Sequence, residues 1–426
     1  MNKKDINIAI FGLGTVGSSL VKLITKEKKR ISNSLNLNLN LIAISSRKLP
    51  LTLLKYKKIF TKKNKLYEDK NVDVVIELIG GVDVAYEFVC NALINKKHVI
   101  TANKELIATK GNVLMNLANK NKCKLFFEAS VAGAIPILKS TYSFLKGNDF
   151  KRIVGILNGT SNYILTDIFR NKSSFKESLS KAQKLGYAEA DPAFDIEGTD
   201  VAHKLVILSS MITKTFPKLS SFEISGIKSI LNIDLQVSYK FGYCIKLLGI
   251  IEKSDEHIFH YVGPQLITVS HIISNTNGVM NGVLVDSFPS GQSYFYGHGA
   301  GGLHTSSAIM SDLLDLQNED LSNRFSVKLP KKMRLLRDYI PAKIYIRVEV
   351  NNSKGILSKV TEKFSLLNLS VEKVDQHLFN ESKNAFLLFI LINSNKTPIK
   401  KIKLKFKRSK LFNNLEIFPI VDIKNV

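Results

Sequence analysis

Cysteine is scarce in this sequence, acidic residues are outnumbered, and no apolar run is long enough to cross a membrane. Cys90, Cys123 and Cys244 are the only cysteines. They lie far apart without CxxC spacing, which argues against a paired-cysteine zinc site and against a disulfide framework. That usage fits a reducing, cytoplasmic setting. The N-terminus MNKKDINIAIFG runs straight into a strand-like segment, so no export or anchoring signal is visible and no membrane partner is expected. Against 61 Lys+Arg stand only 36 Asp+Glu, a net charge of +25. Such a surplus raises nucleic acid as a partner. The lysines, however, are spread along the whole chain, in runs such as KKNKLY and KKIKLKFKRSK, and no recognised nucleic-acid module accompanies them. The surplus reads as diffuse compositional bias, and no nucleic-acid partner is expected.

What is present is an ordinary globular balance, 45% hydrophobic and 23% charged, in 426 residues, enough for two or three domains. Positions 6–17 read INIAIFGLGTVG, an apolar β-branched run ending at Phe11 before Gly12, Gly14 and Gly17. The spacing is G-x-G-x-x-G, and Thr15 and Val16 lead into the helical periodicity of SSLVKLI. A strand, tight turn and helix start in that order bring backbone N–H groups to a pyrophosphate, with Gly12 making the turn and Gly14 permitting close approach. Strand-like runs at 39–46, 72–81, 98–102 and 124–130 alternate with helical segments, which predicts a parallel, doubly wound sheet. The end of the second run offers Ser45, Ser46, Arg47 and Lys48 where an NAD-preferring fold usually has an acid. Arg47 would pair with a 2′-phosphate, so NADP(H) is the preferred cofactor, with NAD(H) tolerated.

Downstream, RIVGILNGTSNYIL and QLITVSHII read as strands, and FKESLSKAQKLG and TDVAHKLVILSSMI as helices. The glycine-rich turn FYGHGAGG precedes a helical run able to return to the first domain. A lysine-rich linker is expected at 323–341, followed by strands and helices in the order βαββαβ, the ferredoxin-like unit. The expected fold class is α/β. It comprises a Rossmann domain over 1–130 completed by a helix within 303–320, an α+β catalytic domain over 131–302, and a ferredoxin-like domain over 342–426.

The stretch GYAEADPAFDIEGTDVAHK, 186–204, packs Glu189, Asp191, Asp195, Glu197 and Asp200 together and ends on one lysine. Asp200 and Lys204 are four apart and share a helix face. Beside a substrate, the carboxylate would hold the ammonium protonated and ready to protonate an oxygen on which charge develops. Gly186, Pro192 and Gly198 place Glu189, Asp191 and Asp195 on a loop rather than a helix. Clustered carboxylates there suit a cationic amine; a divalent metal lacks supporting histidines or regular spacing, and a charged capping loop is the plainer alternative.

The run AQKLGYAEADPAFDIEGTDVAHK resembles the signature of homoserine dehydrogenases. VITANKEL, FEASVAGAIPI and GILNGTSNYIL are similar to further segments of that family, in its order. The resemblance implies NAD(P)H-dependent interconversion of L-aspartate 4-semialdehyde and L-homoserine, on the route to threonine, methionine and isoleucine. It implies Lys204 as general acid/base, Asp200 as its partner, and Glu189 as ligand of the substrate amine within a loop that includes Gly186 and Asp195. It places Lys104 near cofactor and substrate, and Gly301 at the cofactor. A sodium ion would be held by Glu128 and the carbonyls of Val131, Gly133 and Ile135. The C-terminal unit is similar to an ACT domain, which implies L-threonine as an inhibitor, although Asn352 and Lys354 depart from the usual acidic-x-Pro-Gly loop. The fingerprint's early position implies the monofunctional form, and the family suggests a homodimer or higher homo-oligomer. Two other readings remain. One is a thioester-forming semialdehyde dehydrogenase, for which no cysteine has a recognisable context. The other is a non-catalytic regulator sensing an amino acid and NADP, which leaves Asp200 and Lys204 without a task.

Overall fold

The structure is a computed structural model and describes residues 4–62, 65–145, 147–254, 257–317, 334–336, 340–378, 383–407, 409 and 411–422. The chain divides into two compact units, Met1–Asp149 with His203–Leu219 and Phe295–Lys332, and Phe150–Ala202 with Ser220–Tyr294 and Met333–Val426.

The first unit opens with β1 (Lys4–Phe11), α1 (Thr15–Leu35), β2 (Leu37–Ser45), β3 (Phe60–Thr61), β4 (Val74–Glu77), α2 (Asp83–Ile94), β5 (His98–Thr101), α3 (Lys104–Lys120), β6 (Leu125–Phe126) and the single turn α4 (Ile137–Lys139). Its six strands are all parallel, in the order β3-β2-β1-β4-β5-β6. Strand order reverses between β1 and β4, where Phe11 pairs with Glu77, and a crevice opens at the carboxyl ends of such strands. Ile8, Ile10, Leu20, Ile24 and Val74 form the buried centre, as the apolar runs require. The strand expected at 124–130 stops at Phe126. The Glu128 N–H is taken by the Asp312 carboxylate at 3.0 Å, and Ser130 Oγ donates back to Phe127 O at 2.6 Å, so Glu128–Ser130 curls into a 3₁₀ turn.

Next come β7 (Asp149–Ile156), α5 (Gly159–Asn171), α6 (Phe175–Lys184), the turn α7 (Ala193–Ile196), α8 (Thr199–Thr213), β8 (Glu223–Ile224), α9 (Asn232–Lys240), β9 (Tyr243–Lys253), β10 (His257–Thr268), β11 (Met280–Phe288), β12 (Gly291–His298) and α10 (Gly302–Leu314). Helix α10 packs on α1 within the first unit. The strand-like run 152–165 ends at Ile156, because the Asn158 side chain accepts from Ser161 N and starts a helix. The run 265–273 likewise leaves the sheet after Thr268, and the glycine-rich stretch 295–302 is strand as far as His298.

The chain finishes with β13 (Arg334–Leu336), β14 (Lys343–Asn351), α11 (Ile356–Ser365), β15 (Leu369–Leu378), β16 (Asn384–Asn393), α12 (Ile399–Lys407) and β17 (Asn414–Ile420). From β14 onward this is the βαββαβ order, with strands paired β17-β14-β16-β15 and all antiparallel. One edge continues into the central sheet, where Ile420 pairs with Leu266 of β10. The expected linker at 323–341 lies outside the described residues, apart from β13, which pairs with β10, and residues 340–341. No described helix is long and apolar enough to cross a membrane.

Candidate active site

In the first unit a cleft of about 710 Å³ lies along Phe11–Gly14, Ser45–Arg47 and Leu78–Gly80. The three glycines serve different ends. Gly12, at φ +110°, donates to Ser45 O at 2.8 Å, and a Cβ there would sit 2.5 Å from Leu78 O. At Gly17 a Cβ would come within 2.1 Å of Gly12 O, so only glycine lets α1 close on the turn. A Cβ added to Gly14 would meet nothing within 4 Å, so that position faces open space, and Gly14 caps α1 without a side chain. The first-turn N–H groups of Thr15, Val16 and their neighbours are thus available to an anion. Gly301 (φ +122°) caps α10, and a Cβ on Gly302 would strike Ser19 Oγ at 2.5 Å, which sets the start of α10 against that of α1. Arg47 lines the cleft together with Lys62, a second cation that nothing in its local sequence singles out among so many lysines.

Glu77 ends β4 and is fully buried, and burial pushes its carboxyl above the usual range. It accepts from Ile79 N at 2.8 Å, Gly80 N at 3.4 Å and the Thr101 hydroxyl at 2.5 Å. Thr101 Oγ accepts from Asn103 N (3.0 Å). Asn103 in turn donates to Gly81 O (2.6 Å) and caps α3 by accepting from Leu106 N (3.0 Å). One carboxylate therefore braces both the floor of the cleft and the turn that presents Lys104.

Glu128, also buried, accepts from Leu138 N (3.1 Å) and Lys139 N (2.8 Å). Burial first, then Asp312, pushes its pKa to about 8. Lys139 pairs with Asp312 (3.2 Å) and Asp315 (2.7 Å). Val131, Gly133 and Ile135 follow on a loop with left-handed residues at Ala132 and Gly133. These donors are all oxygens, which suits a hard cation. Among the described residues no three His, Cys, Asp or Glu side chains cluster as a metal site.

In the second unit the acidic run separates into distinct tasks. Asp191 accepts from Ala193 N (3.1 Å) and starts α7, and Glu197 is paired at the surface with Lys228 (2.7 Å). Asp195 and Asp200 are drawn together by Asn158, whose amide donates to Asp195 Oδ1 at 2.7 Å and Asp200 Oδ2 at 2.8 Å. Ser161 Oγ holds Asp195 O (2.8 Å), and Thr160 Oγ holds Tyr187 O (2.6 Å), next to Gly186 at φ +72°. Glu189 is exposed. Asp195 lies on the single turn α7 rather than on a loop, because Pro192 O accepts from Asp195 N and Ile196 N. Asp200, 2% exposed, is in this unit and Lys204, 8% exposed, falls in the first; both belong to α8, which is buried from Asp200 to Thr213. Asn158 was missed as a site residue; an Asn-Gly-Thr-Ser helix start was its available signal.

The thiols offer no nucleophile. Burial pushes Cys90 and Cys123 up, and Cys244 to about 11.

Residues 136–314 match the family model described as homoserine dehydrogenase, and residues 12–128 match the one for the homoserine dehydrogenase NAD binding domain. A Neisseria gonorrhoeae protein named homoserine dehydrogenase is 37% identical over 388 residues, 88% of each chain. The crystal structure of a homoserine dehydrogenase from Thiobacillus denitrificans superposes with TM-score 0.87 at 30% identity, covering 98% of this chain and 99% of that one. A hyperthermophilic archaeal homoserine dehydrogenase in complex with NADPH gives 0.63 at 26% identity, covering 74% and 98%.

Proposed function

The chain belongs to the homoserine dehydrogenase family, NAD(P)-dependent oxidoreductases acting on homoserine and aspartate semialdehyde, and from that premise we propose how its residues divide the reaction. A nicotinamide cofactor held in the cleft at Phe11 to Gly17 would supply or accept the hydride at the carbon that carries the reacting oxygen. Lys204 gives a proton to that oxygen during reduction of L-aspartate 4-semialdehyde and takes it back during oxidation of L-homoserine. Asp200 orients the Lys204 ammonium, and Glu189 receives the substrate's ammonium group on the loop between Gly186 and the turn α7 that carries Asp195. Lys104 adds a cation at the start of α3, near cofactor and substrate.

Phe11 to Gly17 and Gly301 receive the cofactor, and Arg47 favours NADP(H) over NAD(H) through the 2′-phosphate; its place in the cleft beside Lys62 supports this. A sodium ion on Glu128 and the carbonyls of Val131, Gly133 and Ile135 would neutralise a buried carboxylate and brace that loop. The C-terminal βαββαβ unit is assigned as an ACT-like domain taking L-threonine as inhibitor, which an assay at millimolar L-threonine tests: an unchanged rate removes it.

The observation that carries the reading is the Asn158 amide, which fixes Asp195 and Asp200 at the base of the helix bearing Lys204. The test is the initial rate of NADP reduction by L-homoserine in Lys204→Ala. NADP binding is retained and turnover drops by about three orders of magnitude, within the roughly 10²- to 10⁴-fold range for removal of a general acid/base. Turnover near normal would remove Lys204 from the role.

A further inference from the structure

A second pocket, of about 240 Å³, opens within the second unit and shares no residue with the carboxylate cluster. Helices α5 and α9 wall it with Leu165, Phe169 and Leu235, and its polar end is built around Lys246 of β9. Lys246 is 4% exposed, and its ammonium donates to Thr276 O (2.7 Å), Asn277 Oδ1 (2.9 Å) and Asn162 Oδ1 (3.2 Å). All three acceptors are neutral. No aspartate or glutamate lines the pocket. Arg170, exposed at the last turn of α5, lines the same pocket. Burial chiefly, with Arg170 adding to it, lowers Lys246 to about 8, so the guanidinium lies close enough to work against the ammonium.

Two cations that repel one another in a concave site, with no carboxylate in its lining, leave a positive potential for an anion to fill. Lys246 has its three donors engaged and supplies field rather than a bond. Arg170 presents a planar fork matched to a carboxylate, and among the described residues no acid is paired with it. The apolar walls beside this end select a ligand with a short aliphatic tail over a bare inorganic anion. We propose that this pocket binds a small organic carboxylate, its head on Arg170 under the field of Lys246 and its tail against Leu165, Phe169 and Leu235. The helix supplying Leu165, Phe169 and Arg170 begins at Asn158, so an occupant bears on the element that clamps Asp195 and Asp200.

The test is isothermal titration of the full chain with 4-methylpentanoate, its uncharged amide 4-methylpentanamide, and inorganic phosphate, for wild type and Arg170→Gln. The carboxylate is expected to bind at least tenfold tighter than the amide or phosphate. Arg170→Gln, with far-UV circular dichroism and thermal midpoint unchanged, should weaken the carboxylate about tenfold and leave the amide unaffected. Equal binding of carboxylate and amide, an unaltered carboxylate affinity in Arg170→Gln, phosphate binding as tight as the carboxylate, or no binding at 50 mM in wild type would each overturn the proposal. Leu235→Gln, which spoils the tail's wall and leaves both cations, should weaken the carboxylate and leave phosphate unchanged; an unchanged carboxylate affinity would also overturn it.

Discussion

Asn158 makes three hydrogen bonds through one amide, to Asp195 (2.7 Å), to Asp200 (2.8 Å) and from Ser161 N (2.8 Å), and its two ends do separable work. The carbonyl end caps α5, a contribution of about 1 kcal/mol. The NH₂ end satisfies two carboxylates, each bond contributing roughly 1.5–3 kcal/mol if the acceptors are charged. Asn158→Ala removes all three and should destabilise the protein by on the order of 3–5 kcal/mol once relaxation is allowed for. Asn158→Ser keeps a capping oxygen but is too short to reach both carboxylates, so it should be about 1 kcal/mol more stable than the alanine variant. In activity the two should look alike, since both release the Asp200 carboxylate from Asn158; a loss of roughly 1.4–2.8 kcal/mol of transition-state stabilisation is about 10- to 100-fold in kcat/KM. Urea unfolding midpoints and initial rates with L-homoserine measure the two effects separately. A serine variant with the wild-type kcat/KM would refute the claim that the amide positions the catalytic carboxylate.

Other outcomes follow from the same contacts. Arg47→Ser and Lys62→Met should each raise KM for NADP about tenfold, the equivalent of one charge-assisted bond, with little change for NAD; equal losses for both cofactors would count against 2′-phosphate recognition. Glu77→Gln puts an amide donor against either the Thr101 hydroxyl or the Ile79 N–H, so KM for NADP should rise more than KM for homoserine, Thr101→Val should do the same, and Thr101→Ser should stay near wild type. His260, stacked on Phe222 at 4.4 Å, is held neutral by burial, with its pKa lowered to about 3. Below the ordinary histidine range the unfolded chain takes up a proton that the native chain refuses. Its neutral burial therefore supports the fold above about pH 6.5, and the advantage is lost at about 1.4 kcal/mol per pH unit as pH falls toward 3. His260→Phe keeps the stack and should flatten that decline in urea titrations between pH 6.5 and 4; an unchanged slope would assign the acid sensitivity elsewhere.

The first sheet was legible in sequence because it needs only local information. Apolar β-branched runs form buried parallel strands, and Gly12 and Gly17 are demanded by backbone approaches of 2.5 and 2.1 Å that no other residue allows. The five acids at 189–200 were also visible, together with the lysine one turn beyond them, because helix periodicity fixes which residues share a face. Their separation into tasks was not. Asp191 and Glu197 spend their charge on a short helix start and on Lys228, whereas Asp195 and Asp200 converge on Asn158, 37 and 42 residues away in sequence. Composition alone could not distinguish Lys62 or Lys246 from the other lysines either. What separates them is a cleft wall in one case and burial against three neutral acceptors in the other. Strand endings failed where a distant partner intervened, as when Asp312 takes the Glu128 N–H and the chain leaves the sheet after β6. Sequence by itself determined the parallel first sheet and the cofactor turn, since both follow from local sterics and periodicity, whereas the roles proposed for Lys204, Asp200 and Glu189 rest on resemblance to a family. Only the tertiary structure decided which charges are satisfied, by which remote side chains, and therefore which remain for a ligand.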